Sequence, residues 1–551
     1  MTPFHFAESI THAADCLASL GIYDWMIVLS YLVVMLVIGV RAAYKESKQK
    51  SGTREFFTGG RRIPTWVLAI SIVGSMLSAA TFVGAPSEAF RGNLTYLILN
   101  VGGFMAVIVV GIFFVPRLYA AGTVTIYGFL SQRFGEPSRV AVSIAFLVGR
   151  LLASGSRLML VGIPLCMMIF AAEGDKTPPI HQLIIAILIV GAVGTFYTAF
   201  GGITTVVWVD LIQFTLVVGA AMVTIGLLLN RIPLSVPEII HTLGSTPLAD
   251  GTNKLTVLDT RFDISLPFTI WAAITGSFML GMATYGVDHD FAQRFMIAKS
   301  KTKAAFTVIA AQFISIAVVS LFMIIGLLLS IYYQRPDIMG AAGPGISQIA
   351  DGVPPYQFFM INHMPQIIAG LAVAGLFAVS QGSMDSAINA MASSAIADLY
   401  LPWRKSIGRP IPTDKPINEP KIAVAAIGAL MTLVGIFFAI IYDPKEQTFL
   451  QFALGVLNFA LSGMLAVFLV GLFTRRGNNA SVIAALITGF FVTLTLQPFI
   501  FKPLTRAIFN NELSIPFTYG MFIATALAFI VCVMGKPSSN DVNREIHPAR
   551  A

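Results

Sequence analysis

The apolar stretch from Gly370 to Tyr400 carries a dense run of oxygen-bearing side chains. Within a few helical turns it contains Ser380, Gln381, Ser383, Asp385, Ser386 and Asn389. With about 3.6 residues per turn, Ser380, Ser383 and Ser386 lie along one side of a helix. Hydroxyl, carbonyl and carboxylate oxygens suit a hard cation, and this run contains no imidazole or thiolate. The pattern predicts an ion or solute pathway, whereas the serines alone are equally typical of helix packing.

Charged side chains elsewhere in apolar runs are the next candidates. A lipid-facing Asp385 would cost roughly 2.5 kcal/mol or more, so we expect it to face protein, water or an ion. Asp210, which follows a Gly–Gly turn, needs a partner for the same reason. Arg150 and Arg157 lie on nearly one helix face and offer planar forks for a carboxylate or phosphate. The alternatives are a structural salt bridge from Arg150 to an acidic neighbour such as Asp210, or a position of Asp210 at the membrane surface.

The elements that must position these residues are membrane helices. Of the 551 residues, 56% are hydrophobic and only 11% are charged, which indicates an all-α polytopic membrane protein. Windows of about 20 apolar residues predict thirteen transmembrane helices. The predicted spans are residues 22–42, 65–90, 94–119, 136–172, 181–199, 203–229, 267–287, 304–333, 366–399, 420–442, 449–473, 479–501 and 515–535.

The second span is predicted to be irregular. It contains Gly74, Ser75, Ser78, Thr81 and Gly84. An interruption near Gly74–Ser78 would leave backbone carbonyls facing a cavity, which suits cation binding. The alternative is a kinked helix that serves only packing.

The distribution of basic residues predicts the orientation. Loops after odd-numbered spans, together with the C-terminal tail, hold 24 Lys and Arg residues, whereas the opposite side holds 9. We therefore expect a cell (inner) membrane protein with its N-terminus outside and its C-terminus in the cytoplasm. The stretch 288–303 is assigned to the cytoplasmic side as a charged gate or structural loop.

Several functional classes are disfavoured. The net charge of +8 follows from the loop distribution and does not indicate nucleic-acid binding. The three cysteines form no disulfide framework or metal motif. The buried polar residues offer no nucleophile–base pair, which argues against an enzyme. A non-transporting sensor is a further alternative, but only 16 residues follow Gly535.

Four segments, in order, resemble the sodium/solute symporter family, which includes sodium/glucose, sodium/proline and sodium/sialic acid cotransporters. They are FFTGGRRIPTWVLAISIVGSMLSAATFVG (56–84), YTAFGGITTVVWVDLIQ (197–213), DHDFAQRFMIAKS (288–300) and GLFAVSQGSMDSAINAMASSAIADLY (375–400). The resemblance implies the LeuT-type fold with two inverted five-helix repeats. The implied segments are an extracellular N-terminal segment (1–21), an additional helix (22–42), the first repeat (65–229), an extracellular loop (230–266), the second repeat (267–473), two C-terminal helices (479–535) and a cytoplasmic tail (536–551).

The same resemblance implies where sodium binds. The family's common site matches Gly74, Leu77, Val379, Gly382 and Ser383. Gly382 departs from the family pattern, because a serine usually occupies that position, and the loss of its hydroxyl leaves Ser380 or water as a replacement.

A second sodium site, present in some members, matches Asp210, Asp385 and Ser386. Asp385 replaces a hydroxyl there, so it either strengthens cation binding or is protonated.

The sialic acid branch of the family implies a solute site as well. Its carboxylate-binding arginine matches Arg150, and its other contacts fall at Ser75, Ser78 and Thr81. They also fall at Asn100, where that branch carries Gln, and at Met76, where a small polar residue is common. The implied function is sodium-coupled import of a small, carboxylated solute by alternating access, with sialic acid as the first candidate. The alternatives are a neutral sugar, an amino acid or a monocarboxylate as solute, or a proton-coupled carrier that uses Asp210 or Asp385.

Overall fold

The computed structural model describes residues 21–49, 63–78, 80–170, 179–199, 202–340, 344–349, 353–408, 419–441 and 449–537. The predicted N-terminal segment (apart from Gly21), most of the C-terminal tail and one residue of the Gly–Gly turn, Gly201, lie outside these ranges. Within them the regular structure is helical, apart from one isolated antiparallel bridge between Pro247 and Asn253.

The helices that precede residue 232 are α1 (Ile22–Gln49), α2 (Thr65–Met76), α3 (Ala85–Arg91), α4 (Leu99–Val109), α5 (Val115–Ala121), α6 (Gly128–Arg133), α7 (Glu136–Phe170), α8 (Ile180–Thr198) and α9 (Gly202–Arg231). Those that follow are α10 (Val236–Ser245), α11 (Ile270–Ala272), α12 (Phe278–Gly286), α13 (His289–Met296), α14 (Lys301–Gln334), α15 (Pro336–Met339), α16 (Pro355–Asn362), α17 (Ile368–Ser394), α18 (Leu401–Ser406), α19 (Glu419–Ile441), α20 (Phe449–Phe473), α21 (Asn479–Thr495), α22 (Pro498–Phe509) and α23 (Phe517–Met534). Short π-helical segments occur at Ala80–Gly84, Val110–Phe114, Ala273–Ser277 and Ala395–Tyr400.

The apolar helices account for the predicted spans. In the described ranges nine helices are long and apolar enough to cross a membrane, and up to twelve if each of three bent pairs is one span. A shorter apolar helix, Ile180–Phe196, coincides with the predicted fifth span. Each predicted span overlaps one of these elements, while thirteen crossings stay a prediction.

The predicted interruption of the second span is present. Helix α2 ends at Met76, and Leu77 is extended with φ −60° and ψ 132°. The segments on either side of the break, Thr65–Met76 and Thr81–Arg91, are bent by 71°. A similar break of 54° separates Ile270–Gly286 from His289–Met296. Broken helices at corresponding places in two halves of a chain are typical of inverted-repeat transporters.

Helix α17 lies at the centre of the bundle. Nearly all of its side chains are buried, and its main neighbours are α9, α1, α7, α19 and α2. Elsewhere glycines permit very close contacts. A Cβ added to Gly326 of α14 would lie 2.2 Å from the carbonyl oxygen of Pro86. The polar stretch singled out from the sequence therefore lies in the interior of the helix bundle.

Candidate functional site

The broken end of α2 meets the middle of α17. A Cβ built on Gly382 would lie 3.5 Å from the carbonyl oxygen of Gly74. One residue further along α2, the hydroxyls of Ser75 and Ser386 are 2.8 Å apart. The two segments that the family resemblance assigns to a sodium site, around Gly74 and Gly382, are therefore adjacent. A shared sodium site requires this proximity.

Helix α9 adds two oxygens to the same place. The Cβ position built on Gly382 lies 2.7 Å from Gln213 Oε1 and 3.5 Å from Asp210 Oδ1. Both oxygens are buried, and neither has a hydrogen-bond partner in the described part of the chain. A buried acceptor without a donor costs about 1–3 kcal/mol, a penalty that a bound cation removes. Carboxylate, carboxamide and peptide oxygens are ligands for a hard cation, so this space fits a sodium ion.

The second predicted sodium site is already occupied by a positively charged side chain of the protein. Asp210 Oδ2 accepts hydrogen bonds from Ser71 Oγ at 2.5 Å and from the Arg294 guanidinium at 3.2 Å. The same guanidinium donates to Ser386 Oγ. The carboxylate of Asp385 accepts a hydrogen bond from the backbone N–H of Ser386. In this conformation a guanidinium bridges two of the three residues assigned to that site.

The position of Arg294 corrects the interpretation of residues 288–303 as a structural loop, while the alternative of a gate stays a prediction. Residues 289–296 form α13, and every side chain of this helix is buried. Arg294 also pairs with Asp290, one turn earlier, at 3.0 Å. The i,i+4 spacing of these opposite charges was the available sequence signal. It was missed because the arginine was counted with the exposed lysines that follow it.

A cavity of about 170 Å³ lies beside the break in α2. Four of the predicted solute contacts line it: Met76, Thr81, Asn100 and Arg150. Ser75 instead donates to the backbone of Ser71 and contacts Ser386, and Ser78 is buried.

The two arginines of α7 differ in their pairing. Arg150 donates to Asp288 Oδ2 at 2.9 Å and also to Asp290, and its guanidinium carbon lies 5.2 Å from the centre of the Phe291 ring. A salt bridge to acidic neighbours was one of the alternatives. The partners are Asp288, in the break between α12 and α13, and Asp290, at the start of α13, rather than Asp210. Arg157 lines the same cavity. Its Nε and one terminal nitrogen are buried without a hydrogen-bond partner among the described residues.

Amide and hydroxyl groups form another part of the cavity wall. Tyr285 donates to Gln312 Oε1 at 2.8 Å, and the Gln312 amide donates to Asn100 Oδ1 at 3.3 Å. Apolar side chains, including Leu99 and Leu280, complete the lining. A mostly apolar pocket with a few convergent polar groups and a cation suits a small organic molecule.

Comparison with known proteins gives these features a context. The chain is similar to the sodium/sialic acid symporter SiaT of Proteus mirabilis, with 24% identity over 87% of this chain and 90% of the relative. It is also 25% identical to human sodium-coupled monocarboxylate transporter 1, over 86% of this chain and 73% of the relative. A solved structure, described as a substrate-bound outward-open state of a Na⁺-coupled sialic acid symporter, matches with a TM-score of 0.73 at 22% identity. That match covers 93% of this chain and 97% of the other.

The structural likeness confirms the predicted all-α, LeuT-type fold. The family model described as the sodium:solute symporter family matches residues 56–489, which is most of the sequence. The residues that carry the resemblance fall within this range. This chain therefore belongs to the sodium:solute symporter family, whose members are sodium-coupled membrane transporters rather than enzymes.

Proposed function

We propose that this symporter couples sodium entry to the import of a small carboxylated solute bound in the central cavity. The observation that carries the proposal is that Nε and one terminal nitrogen of Arg157, on the cavity wall, are buried without a hydrogen-bond partner among the described residues. Because charged donors withdrawn from water without a partner are unfavourable, the cavity favours an anion. The planar guanidinium of arginine can donate two parallel hydrogen bonds to a carboxylate, which makes it the best suited side chain for binding one.

The charges that line the cavity support Arg157, and not Arg150, as the anchor, that is, the residue that binds the solute carboxylate. Among the described residues, the acidic and basic side chains that line the space are Arg150, Arg157 and Asp288. Asp288 is engaged by Arg150, whose second terminal nitrogen is engaged by Asp290. The positive charge left for a solute is therefore that of Arg157.

The size of the cavity bears on the identity of the solute. Sialic acid is the solute named for the relatives from Proteus mirabilis and Aliivibrio fischeri, and it is our first candidate. A cavity of about 150 Å³ holds benzene, and the one here has about 170 Å³. Sialic acid is several times larger than benzene and requires the cavity to widen. A monocarboxylate, the solute class named for another relative, fits the present volume without such widening and is the second candidate.

The contacts on the two sides of the central cavity support alternating access. On one side α13 and its ion pairs close the space between α2 and α17. On the other side Tyr96 borders both the central cavity and a cavity of about 310 Å³. Phe517 likewise borders the central cavity and one of about 190 Å³. We assign the α13 side to the cytoplasm, because the positive-inside count places residues 288–303 there.

The membrane location, the orientation and the repeat boundaries belong to the same proposal. The exposed side chains of α1 and α19 include large apolar residues such as Val33 and Leu433, which suits contact with lipid in a cell membrane. The N-terminus lies outside, and the repeats span residues 65–229 and 267–473. Each sodium ion that enters contributes about 2.3 kcal/mol per 100 mV of membrane potential. Sodium and solute must favour each other's binding by one shared free energy.

Purified protein in proteoliposomes tests the solute assignment. Sialic acid and lactate are compared with their methyl esters, with glucose and with proline, with and without sodium. We expect sodium-dependent uptake of an acid and not of its ester, because the ester lacks the charge that Arg157 pairs with. Uptake of esters as efficient as that of acids would contradict an anionic solute.

Variants at Arg157 locate the anchor. Arg157→Gln should raise the KM for the acid about tenfold or more, the value of one charge-assisted hydrogen bond. Arg157→Lys keeps the charge and serves as the matched control, with a smaller expected increase. An unchanged KM in Arg157→Gln would return the role of carboxylate anchor to Arg150.

A further inference from the structure

We propose that Gln213 supplies the sodium ligand that Gly382 lacks. This inference rests on the proposed first sodium site, where a hydroxyl is expected at residue 382 and this chain has glycine. Gln213 is 2% exposed and lies on α9, three residues after Asp210. It was absent from the residues selected from the sequence.

The geometry makes Gly382 and Gln213 interdependent. A Cβ on residue 382 would lie 2.7 Å from Gln213 Oε1, closer than a carbon and an oxygen approach without one of them shifting. A serine at 382 would therefore push the carboxamide away. With glycine, the carboxamide oxygen enters the space that a serine side chain would use. Glycine at residue 382 therefore removes a hydroxyl ligand and, by the same change, makes room for the Gln213 carboxamide oxygen.

The direction of the carboxamide is fixed by a helix outside the two proposed repeats. The Gln213 amide nitrogen donates to the hydroxyl of Tyr31 on α1 at 3.1 Å. This contact leaves Oε1 facing Gly382 with no donor in the described part of the chain. Tyr31 is buried, so this orientation is held within the protein interior. Tyr31 is accordingly a positioning residue for the proposed ligand.

The charge of the site suits a monovalent ion. Asp210 faces the site with Oδ1, which has no hydrogen-bond partner among the described residues, while Oδ2 accepts from Arg294. The Gly74 carbonyl oxygen and Gln213 Oε1 are neutral ligands. One carboxylate shared with a guanidinium offers little excess negative charge for a divalent cation. Sodium can enter on the Oδ1 side while Arg294 keeps its contact with Oδ2.

A rescue experiment tests the assignment. The sodium concentration for half-maximal thermal stabilisation is measured on purified protein, with sodium chloride replacing choline chloride at constant ionic strength. Gln213→Ala should raise this concentration about tenfold, because it removes an oxygen from the ion. Gln213→Ala combined with Gly382→Ser should restore most of the loss, because the hydroxyl returns where the carboxamide was. Tyr31→Phe should give a smaller increase than Gln213→Ala.

Gln381→Ala is the matched control. This glutamine is also buried and adjoins Gly382, but its side-chain oxygen is directed at Gly194 on α8. Its sodium response should equal that of the wild type. A normal sodium response in Gln213→Ala, or a double variant no better than the single one, would overturn the role of Gln213. If the wild type itself shows no sodium stabilisation, the proposed sodium site fails and this inference fails with it.

Discussion

At the scale of single residues, the pairing of each charge decides what that residue can do. Arg150 and Arg157 look equivalent in the sequence, because both lie on one face of an apolar helix. In the structure Arg150 is paired with Asp288 and Asp290, whereas two buried nitrogens of Arg157 have no partner in the part of the chain that the structure describes. The sequence identifies the helix and the face. It does not identify which arginine is free, because the partners belong to a segment more than a hundred residues away.

Ser383 allows a prediction at this scale. It follows Gly382, is buried, and donates to the carbonyl oxygen of Ser380 at 3.2 Å. Its hydroxyl is the side-chain sodium ligand that the family resemblance implies for this chain, which stays a prediction. Ser383→Ala should raise the sodium concentration for half-maximal uptake about fivefold, the effect of losing roughly one hydrogen-bond-sized interaction. Ser330→Ala, at a buried serine of α14 that donates to the carbonyl oxygen of Leu327, is the control and should leave the sodium dependence unchanged. Equal sodium dependence of wild type and Ser383→Ala in proteoliposomes would count against the site.

At the scale of helices, the break in the second span could be predicted, whereas the break between α12 and α13 and the contacts of the helices could not. Glycine and serine within an apolar run predicted the break in the second span, and the extended Leu77 confirms it. The roles of Gln213 and Arg294 depend on how α9 and α13 are rotated about their axes. That rotation follows from packing against α2 and α17, which a single sequence does not specify.

Helix α13 is predicted to lock the cytoplasmic side. Arg294 connects it to α9 through Asp210 and to α17 through Ser386. Breaking a buried ion pair costs about 3–5 kcal/mol, so Arg294→Gln should favour opening of this side. Ala292, fully buried on α13, is replaced by cysteine as a reporter in a chain whose native cysteines are serines. Its labelling by a maleimide from the cytoplasmic side should become faster when Arg294 is replaced.

Arg117 provides the control for that experiment. Its guanidinium is exposed and donates to the carbonyl oxygen of Phe113. Arg117→Gln should leave the labelling rate unchanged. If Arg294→Gln fails to fold, Arg294→Lys retains the charge with fewer hydrogen bonds and should show a smaller increase. If the labelling rate is the same before and after replacement of Arg294, α13 is not part of the cytoplasmic gate.

At the scale of the whole molecule, the segment 246–258 covers the end of the broken helix. Lys254 donates to the carbonyl oxygens of Phe90 at 2.6 Å and Ala89 at 3.4 Å, which end α3. The backbone N–H of Leu94 donates to the carbonyl oxygen of Thr256 at 3.1 Å. The segment predicted as a long loop is therefore docked on the second half of the broken span.

This docking should depend on pH. Burial lowers the pKa of Lys254 from its usual value of 10.5 to about 8. Between these two values the unfolded chain binds more protons than the folded one, so stability rises with pH across that window. The difference in melting temperature between wild type and Lys254→Met should therefore shift in favour of the wild type from pH 8 to pH 10. A difference that is constant over this range would contradict the burial of a titrating lysine.

The central claim is that oxygens of α2, α9 and α17 enclose a sodium ion at Gly382. The most direct test is Gly382→Ala, because the added methyl group would lie within 3.5 Å of three of those oxygens. Alanine favours a helix over glycine by about 1 kcal/mol, so the variant should fold and melt normally in choline chloride. We predict that it loses the stabilisation by sodium that the wild type shows. Sodium stabilisation of Gly382→Ala equal to that of the wild type would contradict the account.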